Sequence, residues 1–440
     1  MKKNGAGRKK VLIALVMVVC LLTLPLSSWA KTEVIWWHAN TGFLGDRTND
    51  LVNKFNASQS EYEVKATYKG SYPELLTAAI AAYRSKTPPH IIQGQEIATQ
   101  TLLSSGAIYP VYQLMKEQGI KIDWEDYISV VKSYYSKGGN LYSMPYNSST
   151  PILYYNKTIL QKAGVNVQKA PATFEEIEKM ARAAVSSGAT KIGFTVSWPS
   201  WTLMENMHTW HDQPFANNNN GFSAMATELK FNGKLGLQIF ELIARWQKER
   251  IFTYSGRTSS GDQPIKNGEA AIGLASTALV GDMTRNAKFD WGTGPLPRLA
   301  GYPQGNSIIG GASLWVFKGL KKEQYSGVAK FFEFLGSTEQ QMWWHANTGY
   351  FPLTRAAIKA LSEDHFRKNP NLWTAFYQIT SGKTTPNSQG IRLGNFGAIR
   401  DIIEAEMENV FGGKKTPKQG LDDAVKNGNK TLKEFASLYK

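Results

Sequence analysis

Cysteine is nearly absent from this sequence, since Cys20 is the only one among 440 residues. It lies in an N-terminal stretch where five basic residues precede the apolar run 11–26, and Ser28-Trp29-Ala30 follows. This arrangement is typical of a cleavable secretory signal, and we expect cleavage after Ala30. The exported chain would then hold no disulfide, which excludes a small disulfide-framed extracellular domain and favours a bacterial periplasmic protein.

Long apolar runs and acidic residues are also scarce. The run 11–26 is shorter than the roughly 20 residues that a membrane span needs, so a retained anchor is the less favoured alternative. Asp and Glu number 35 against 50 Lys and Arg, and without the signal the formal net charge falls from +15 to +10. The excess forms no block of like charges. We therefore expect an ordinary solvated surface and no nucleic-acid partner, with an anionic ligand as the alternative.

The length and the alternation of patterns indicate two α/β lobes. A chain of this size, 42% hydrophobic, can bury two ordinary cores. Strand and helix patterns alternate at residues 33–36, 51–55, 62–68, 74–84 and 90–93. This order predicts a parallel sheet covered by helices. Because no Pro/Ser-rich linker is present, we expect the chain to cross between the lobes more than once.

Local signals predict two further features of this chain. Thr173 and Glu176 have the spacing of a capping box for a helix that begins near Phe174. The stretch WWHANTG occurs at residues 36–42 and again at 343–349. The first copy follows a predicted strand and precedes a helix, whereas the second ends an amphipathic helix. Since the identity stops after seven residues, we interpret the copies as two separate turns and not as a duplication.

Enzymatic motifs are weak throughout the sequence. There is no G-x-S-x-G elbow and no complete phosphate loop. His208 and His211 have a spacing that a metal could use, but no third ligand accompanies them. We therefore expect no metal, no cofactor and no enzymatic activity. The carboxylate pair of a glycosidase is a spatial arrangement, so a hydrolase stays open as an alternative.

Aromatic, hydroxyl and glycine residues occur where the predicted strands end. In open α/β sheets ligands bind at the carboxyl ends of strands. Hydroxyl groups there can donate to a phosphate, and glycine lets a backbone N–H approach an anion closely. The residues with this placement are Tyr72, Ser148, Ser149, Trp198, Trp201, Ser276, Gly310, Gly311 and Tyr350.

Longer stretches resemble a known family. The segment LYYNKTILQKAGVNVQKAPATFEEIEKMA resembles the extracellular solute-binding proteins of ABC importers, the group related to the maltose-binding protein. The stretches MPYNSSTPILYYNK, IIGGASLWV and IRLGNFGAIRDIIEAE resemble, in collinear order, the branch of that family that binds sn-glycerol 3-phosphate. The resemblance covers nearly all of the chain after the signal.

The resemblance implies an α/β fold of the two-lobed periplasmic binding protein type (type II), with a hinge and with the ligand in the interlobe cleft. Each lobe is expected to be discontinuous. The signal is expected at 1–30, the N-terminal lobe at 31–147 and 290–342, and the C-terminal lobe at 148–289 and 343–440.

The resemblance also implies a set of ligand contacts. Arg400 would bring the one full positive charge and a fork that grips two phosphate oxygens. Glu96 would accept from glycerol hydroxyls, and Trp198 would offer a flat face with Trp201 as a second wall. The implied contacts are Tyr72, Glu96, Ser149, Trp198, Trp201, Ser276, Gly311, Tyr350 and Arg400. The alternative for Arg400 is a salt bridge to Glu404, one turn further along a helix.

The expected function is therefore that of a periplasmic, monomeric binding protein. It would capture sn-glycerol 3-phosphate and deliver it to an inner-membrane ABC permease with ATPase subunits. The first W-H-x-x-x-G turn carries Ala39, Asn40 and Thr41 where relatives commonly have an acidic residue. Glycerophosphodiesters such as glycerophosphocholine are for this reason equal candidates. The alternative is a binding protein for a neutral oligosaccharide, which would not need a cationic anion site.

Overall fold

The computed structural model describes residues 31–361 and 363–439, so the predicted signal at 1–30 lies outside the described residues. The first elements are β1 (Thr32–His38), α1 (Gly42–Ser58), β2 (Tyr62–Tyr68), α2 (Tyr72–Arg84), β3 (Ile91–Gln95), α3 (Thr99–Ser104), β4 (Ile108–Tyr109), α4 (Val111–Glu117), α5 (Ser129–Tyr134), β5 (Ser136–Lys137), β6 (Asn140–Leu141) and β7 (Met144–Ser149). Then follow β8 (Pro151–Asn156), α6 (Lys157–Lys162), α7 (Phe174–Ser186), β9 (Ile192–Val196), α8 (Asn206–Trp210), α9 (Lys234–Lys248), α10 (Asp262–Lys266), β10 (Ala270–Ser276), α11 (Leu279–Asn286) and β11 (Trp291–Gly294). The last are β12 (Gly310–Phe317), α12 (Lys322–Gly336), α13 (Thr338–Thr348), α14 (Arg355–Ala360), α15 (Glu363–Lys368), α16 (Pro370–Ser381), α17 (Phe396–Phe411) and α18 (Pro417–Ser437).

The first lobe is built on a six-stranded sheet. Its order is β2-β1-β3-β12-β4, and β7 also pairs with β12. The strands β2, β1 and β3 are parallel, as their alternation with helices predicts, but β12 is antiparallel to β3 and β7. The sheet is therefore mixed, because β12 enters it only after the chain has passed through the other lobe. Trp36 in β1 and Trp315 in β12 lie fully buried in its core.

The second lobe is built on a four-stranded sheet of order β11-β8-β10-β9. Only β9 and β10 are parallel. The predicted capping box is present, since Thr173 accepts from the Glu176 N–H at the start of α7. The pairing of β11 with β8 places residues 291–294 in this sheet, whereas a lobe boundary at residue 290 assigns them to the first lobe. β11 belongs here because it returns directly beside β8 to complete the edge of the same sheet.

The chain crosses between the two sheets more than once. The first passage is Thr150, between β7 and β8, and the second is the segment that joins β11 to β12. The two passages run side by side, because Thr150 Oγ1 donates to Ser307 Oγ at 2.9 Å. A third passage lies between α14 and α16. The start of α14 is hydrogen-bonded to Asp126 of the first lobe, whereas α16 packs on β8 and β11 of the second.

The two copies of WWHANTG have the opposite contexts that their flanks predict. The first ends β1 at His38 and leads into α1 at Gly42, and the second forms the end of α13, where Gly349 is left-handed with φ of 88°. Trp344 of the second copy packs in the core of the first lobe, although the predicted division assigned residues from 343 onward to the second. That packing follows from the position of α13 beside α1 and α12.

Candidate functional site

The hydroxyl and glycine residues expected in the site converge on the first passage between the lobes. Ser149, the last residue of β7, lies opposite Gly310 in the strand register, and Ser276, the last residue of β10, lies opposite Pro151. The Thr277 N–H donates to the Thr150 carbonyl at 3.1 Å, which joins the end of β10 to the passage. Three segments far apart in sequence therefore present their ends at one place.

Gly311 occupies a position that only glycine can take. Its φ is 91°, and a Cβ atom there would lie 1.8 Å from the backbone oxygen of Asn147. The register of β7 and β12 shifts just after it, between Ala312 and Ser313. A side chain would force the two strands apart at the passage between the lobes, which we call the floor of the candidate site.

Two tyrosines and an asparagine form a neutral polar cluster beside this floor. Asn147 Nδ2 donates to the Tyr72 hydroxyl at 3.2 Å, and Gln93 Nε2 donates to Asn147 Oδ1 at 3.1 Å. Burial raises the pKa of Tyr350 to about 12, and burial also raises the pKa of Tyr72 well above its ordinary value. Both hydroxyls therefore keep their protons at neutral pH and can donate them to a ligand.

Arg400 forms the centre of a buried ionic network. Its Nε and Nη2 donate to the two carboxylate oxygens of Glu205 at 2.7 and 2.8 Å. Nη2 also donates to Glu96 Oε1 at 2.7 Å. Glu96 follows β3 of the first lobe, whereas Arg400 and Glu205 belong to the second, so this contact joins the lobes. Arg400 thus donates its hydrogen bonds to Glu205 and Glu96, and not to Glu404, the alternative partner in the sequence analysis.

The balance of charge around Arg400 is negative. Glu96, Glu205 and Glu404 are all buried near Arg400. Arg257 also lowers the pKa of Glu404, but its guanidinium is paired with Glu408. Burial raises the pKa of Glu96 to about 7, the Arg400 charge opposes this rise, and the Glu205 charge adds to it. Burial likewise raises the pKa of Glu404 to about 7, and Arg400 again opposes the rise. The fork that was expected to grip a phosphate is thus already held by carboxylates, because the fold brings Glu205 to it from 195 residues away.

One oxygen of this network lacks a hydrogen-bond partner among the described residues. Glu96 Oε1 accepts from Arg400, but Glu96 Oε2 is buried and has no such partner in that part of the chain. Buried polar atoms are nearly always paired, so an exception in a cleft indicates a place where a ligand or water completes the bond. An ionised carboxylate can only accept hydrogen bonds, so a hydroxyl group that donates one is a suitable partner.

The two tryptophans occupy different depths. Trp201 is buried, and its ring packs against Gly310 so closely that a Cβ there would lie 2.4 Å from it. Trp198 is partly exposed and has a φ of 54°, which is rare for a bulky residue. Its N–H donates to the Thr258 carbonyl at 2.6 Å, which helps to hold this conformation. Trp201 therefore supports the floor, and Trp198 lies nearer the surface of the second lobe.

The structure brings together Ser149, Ser276 and Gly311 at the passage, and Tyr72 with Tyr350 near Asn147. Sequence reasoning missed three residues that belong to the arrangement: Gln93, Asn147 and Glu205. Glu205 carries a usable signal, since it is the one charged residue in the run WTLMENM. Asn147 and Gln93 resemble ordinary strand residues, and only their pairing across the sheet distinguishes them.

His208 and His211 lie inside the second lobe and not at a metal site. Each donates from Nδ1 to a backbone carbonyl one helical turn earlier, at 2.7 and 2.8 Å. Within residues 31–361 and 363–439, no group of three or more His, Cys, Asp or Glu side chains could hold a metal ion. In the same ranges, no helix combines the length and the apolar character that a membrane crossing requires.

Comparisons with known proteins agree with this architecture. A family model described as bacterial extracellular solute-binding protein matches residues 50–374. The sn-glycerol-3-phosphate-binding periplasmic protein UgpB of Brucella abortus is 41% identical over 93% of this chain and 95% of its own. The protein of the same name from Escherichia coli K12 is 40% identical over 95% of this chain and 97% of its own.

Solved structures share the two-lobed fold at lower identity. UgpB from Mycobacterium tuberculosis, solved in complex with glycerophosphocholine, has a TM-score of 0.77 and 20% identity over 92% of this chain and 99% of its own. The cyclic α-maltosyl-1,6-maltose binding protein from Arthrobacter globiformis has a TM-score of 0.72 and 19% identity over 92% of this chain and 100% of its own. With the family model and the curated relatives, these findings establish that the chain belongs to the bacterial extracellular solute-binding proteins.

Proposed function

We propose that this protein binds a glycerol phosphate in its interlobe cleft, either sn-glycerol 3-phosphate or a glycerophosphodiester such as glycerophosphocholine. The observation that carries the proposal is the convergence of neutral donors at the first passage between the lobes. The pair β7–β12 contains Ser149 and the Gly311 N–H. The pair β8–β10, on the other side of the passage, contains Ser276. The hydroxyls of Tyr72 and Tyr350 approach from the first lobe.

Neutral donors suffice to hold a phosphate in such a place. A hydrogen bond to a charged group contributes about 1.5–3 kcal/mol, roughly twice the value for a neutral pair. Five such donors that are held by the fold need no reorganisation when the anion arrives. The phosphate is accordingly assigned to this cluster and not to the Arg400 fork.

The acidic network then takes the glycerol end of the ligand. An anion placed against Glu96, Glu205 and Glu404 would meet more negative than positive charge. A glycerol hydroxyl instead can donate to the unpaired Oε2 of Glu96. In this assignment Arg400 orients Glu96 and balances its charge, which replaces the role in phosphate binding that the sequence suggested.

Binding of a neutral oligosaccharide is the second candidate. The carboxylates of Glu96 and Glu205 together with the Trp198 ring favour it, because sugars are commonly held by acids and aromatic faces. The internal pairing of Arg400 removes the cation that was expected to distinguish the two ligand classes. The curated relatives at 40–41% identity, both named for sn-glycerol 3-phosphate, favour the phosphate.

The proposed role is delivery and not conversion. In this proposal the protein acts as a monomer in the periplasm and hands the ligand to an inner-membrane ABC permease that works with ATPase subunits. The family assignment and the periplasmic relatives support that location and role. An overnight incubation with glycerophosphocholine should release neither choline nor phosphate, and release of either would contradict the proposal.

Tryptophan fluorescence titrations test which class of ligand the protein binds. Glycerol 3-phosphate and glycerophosphocholine should each be tried beside maltose, and one or both of the first two should produce saturable binding. Tyr350→Phe keeps the ring that stacks on Trp344 but removes the donor, and should weaken phosphate binding about tenfold or more. Tyr377→Phe, on an exposed side chain of α16, is the matched control and should change nothing. Saturation by maltose alone would overturn the proposal.

A further inference from the structure

Asp262 is a carboxylate beside the sheet of the second lobe, and none of the roles proposed above uses it. Asp262 is the first residue of α10, a helix that packs on β9 and β10 of the second lobe. The preceding Gly261 allows a close approach, since a Cβ there would lie 2.1 Å from the backbone oxygen of Val196. This contact holds Asp262 next to Ser197 at the carboxyl ends of the parallel strands β9 and β10, the second of which ends in Ser276.

The Asp262 carboxylate is incompletely paired. Among the described residues, its buried Oδ1 and the buried Ser197 Oγ each lack a well-formed hydrogen bond. Ser197 nevertheless lies near enough to Asp262 to lower the pKa of its carboxyl, so this hydroxyl partly satisfies it. Lys266, one turn further along α10, donates instead to Asp282 at 3.1 Å. The Lys266 charge lowers the pKa of Asp262, but its ammonium hydrogen-bonds to the other carboxylate. A buried carboxylate oxygen without a donor is costly unless something else supplies one.

Asp262 and Glu96 belong to separate charge clusters that both approach Tyr350. Glu96 lies with Arg400 and Glu205, whereas Asp262 lies with Lys266 and Asp282. Both carboxyls are near enough to Tyr350 for their charges to raise the pKa of its hydroxyl, in addition to the larger effect of burial. The neutral donors assigned to the phosphate therefore have an acidic group from each cluster in their neighbourhood.

We propose that Asp262, together with Ser197, binds the second alcohol of a glycerophosphodiester through an ammonium or hydroxyl group that this alcohol carries. The proposal rests on the proposed function, because it takes the phosphate to lie at the donors around Tyr350 and the glycerol at Glu96. A diester has polar groups on both sides of its phosphate, which matches an acceptor on either side of the donor cluster.

The charges of the candidate ligands support the same proposal. A phosphate monoester carries about −1.5 to −2 at neutral pH, whereas a diester carries a single negative charge. A carboxylate close to the phosphate site repels the monoester more strongly, and it attracts the ammonium of an ethanolamine or choline ester. Burial raises the pKa of Asp262 to about 6, so the carboxyl is ionised at pH 7.5. The site therefore favours diesters whose second alcohol is cationic or hydroxylated.

Calorimetric titrations at pH 7.5 test this inference. The ligands are glycerol 3-phosphate, glycerophosphoethanolamine and glycerophosphocholine, and the readout is the ratio of the monoester Kd to each diester Kd. Asp262→Asn should lower the ratio for glycerophosphoethanolamine about tenfold or more, because the ammonium loses the counter-charge that Asp262 supplies. A fall for glycerophosphocholine as well would show that charge contributes beyond the hydrogen bond.

Asp290→Asn is the matched control for this experiment. It removes the same charge from the second lobe, but Asp290 is exposed and pairs at 3.6 Å with Lys157 at the edge of the sheet. This variant should keep the wild-type ratios. Equal weakening of all three ligands by Asp262→Asn, or no change in either ratio, would overturn the inference. If none of the three ligands binds the wild-type protein, the proposed function itself fails.

Discussion

The binding of a diester to this protein should depend on the ionisation of Glu96. The carboxyl is buried, its Oε1 accepts from Arg400, and its Oε2 awaits a donor. Burial, with the Glu205 charge adding to it and the Arg400 charge opposing it, raises the pKa of Glu96 to about 7. A glycerol hydroxyl can donate to the ionised carboxylate, so the ligand selects the deprotonated form and should release a proton when it binds near pH 7.

The size of the effect follows from that pKa. About one-eleventh of the molecules carry an ionised Glu96 at pH 6 and about ten-elevenths at pH 8, and the apparent affinity scales with this fraction. Kd for glycerophosphocholine should therefore fall about tenfold from pH 6 to pH 8, which corresponds to about 1.4 kcal/mol. A diester is the right probe because the phosphate of a monoester itself titrates near pH 6.

Isothermal calorimetry in two buffers of different ionisation enthalpy measures both Kd and the protons released. Glu96→Gln should remove the tenfold dependence and leave about the twofold change that Asp262, with a pKa of about 6, contributes over this range. Glu205→Gln removes a charge that raises the pKa of Glu96, so the midpoint should move to lower pH. A flat wild-type profile would refute the reasoning. So would a tenfold dependence that persists in Glu96→Gln and disappears in Glu404→Gln, because Glu404 also has a pKa of about 7.

The same raised pKa has a consequence for the ligand-free protein. A carboxyl whose pKa is higher in the folded than in the unfolded state binds protons preferentially in the folded state. The stability that Glu96 contributes is therefore fully present below its ordinary value of 4.5 and is lost as the pH rises through about 7. Urea unfolding between pH 5 and pH 8 should show this loss, and Glu96→Gln should reduce it.

Three further results are expected. Gly311→Ala should lower Tm far more than Gly319→Ala, because both positions have a positive φ but only the first would place a Cβ against backbone, and equal Tm values would contradict this. Arg400→Met should cost about 3–5 kcal/mol in urea unfolding at pH 7.5, since it leaves buried carboxylates without their cation, and a loss below about 1 kcal/mol would show that the network is not needed. Arg285 of the second lobe donates to Asn347 at 2.7 Å, and its guanidinium lies 5.7 Å from the ring centre of Phe43 in the first lobe. Arg285→Ala should therefore weaken ligand binding about two- to fivefold and enlarge the radius of gyration of the liganded protein in X-ray scattering. An unchanged radius would contradict a role of Arg285 in closure.

Much of this protein could be predicted from local sequence because local energetics determine it. The capping box of Thr173 and Glu176, the strand 62–68 and the opposite contexts of the two WWHANTG copies all depend on residues a few positions apart. Hydrophobic periodicity and capping act over one or two helical turns, so a single sequence records them. The two-lobed fold and the family followed from such segments together with the resemblance.

The contacts of the candidate site residues depend on segments that lie hundreds of residues apart. Arg400 meets Glu96 from 304 positions away and Glu205 from 195. No local pattern records those distances, and the resemblance alone implied that Arg400 contacts a phosphate, whereas we propose that Arg400 orients Glu96. The sequence alone determined which segments become strands and helices. The tertiary structure decided which charges neutralise one another there, because the energy of a buried charge depends on the partners that folding brings to it.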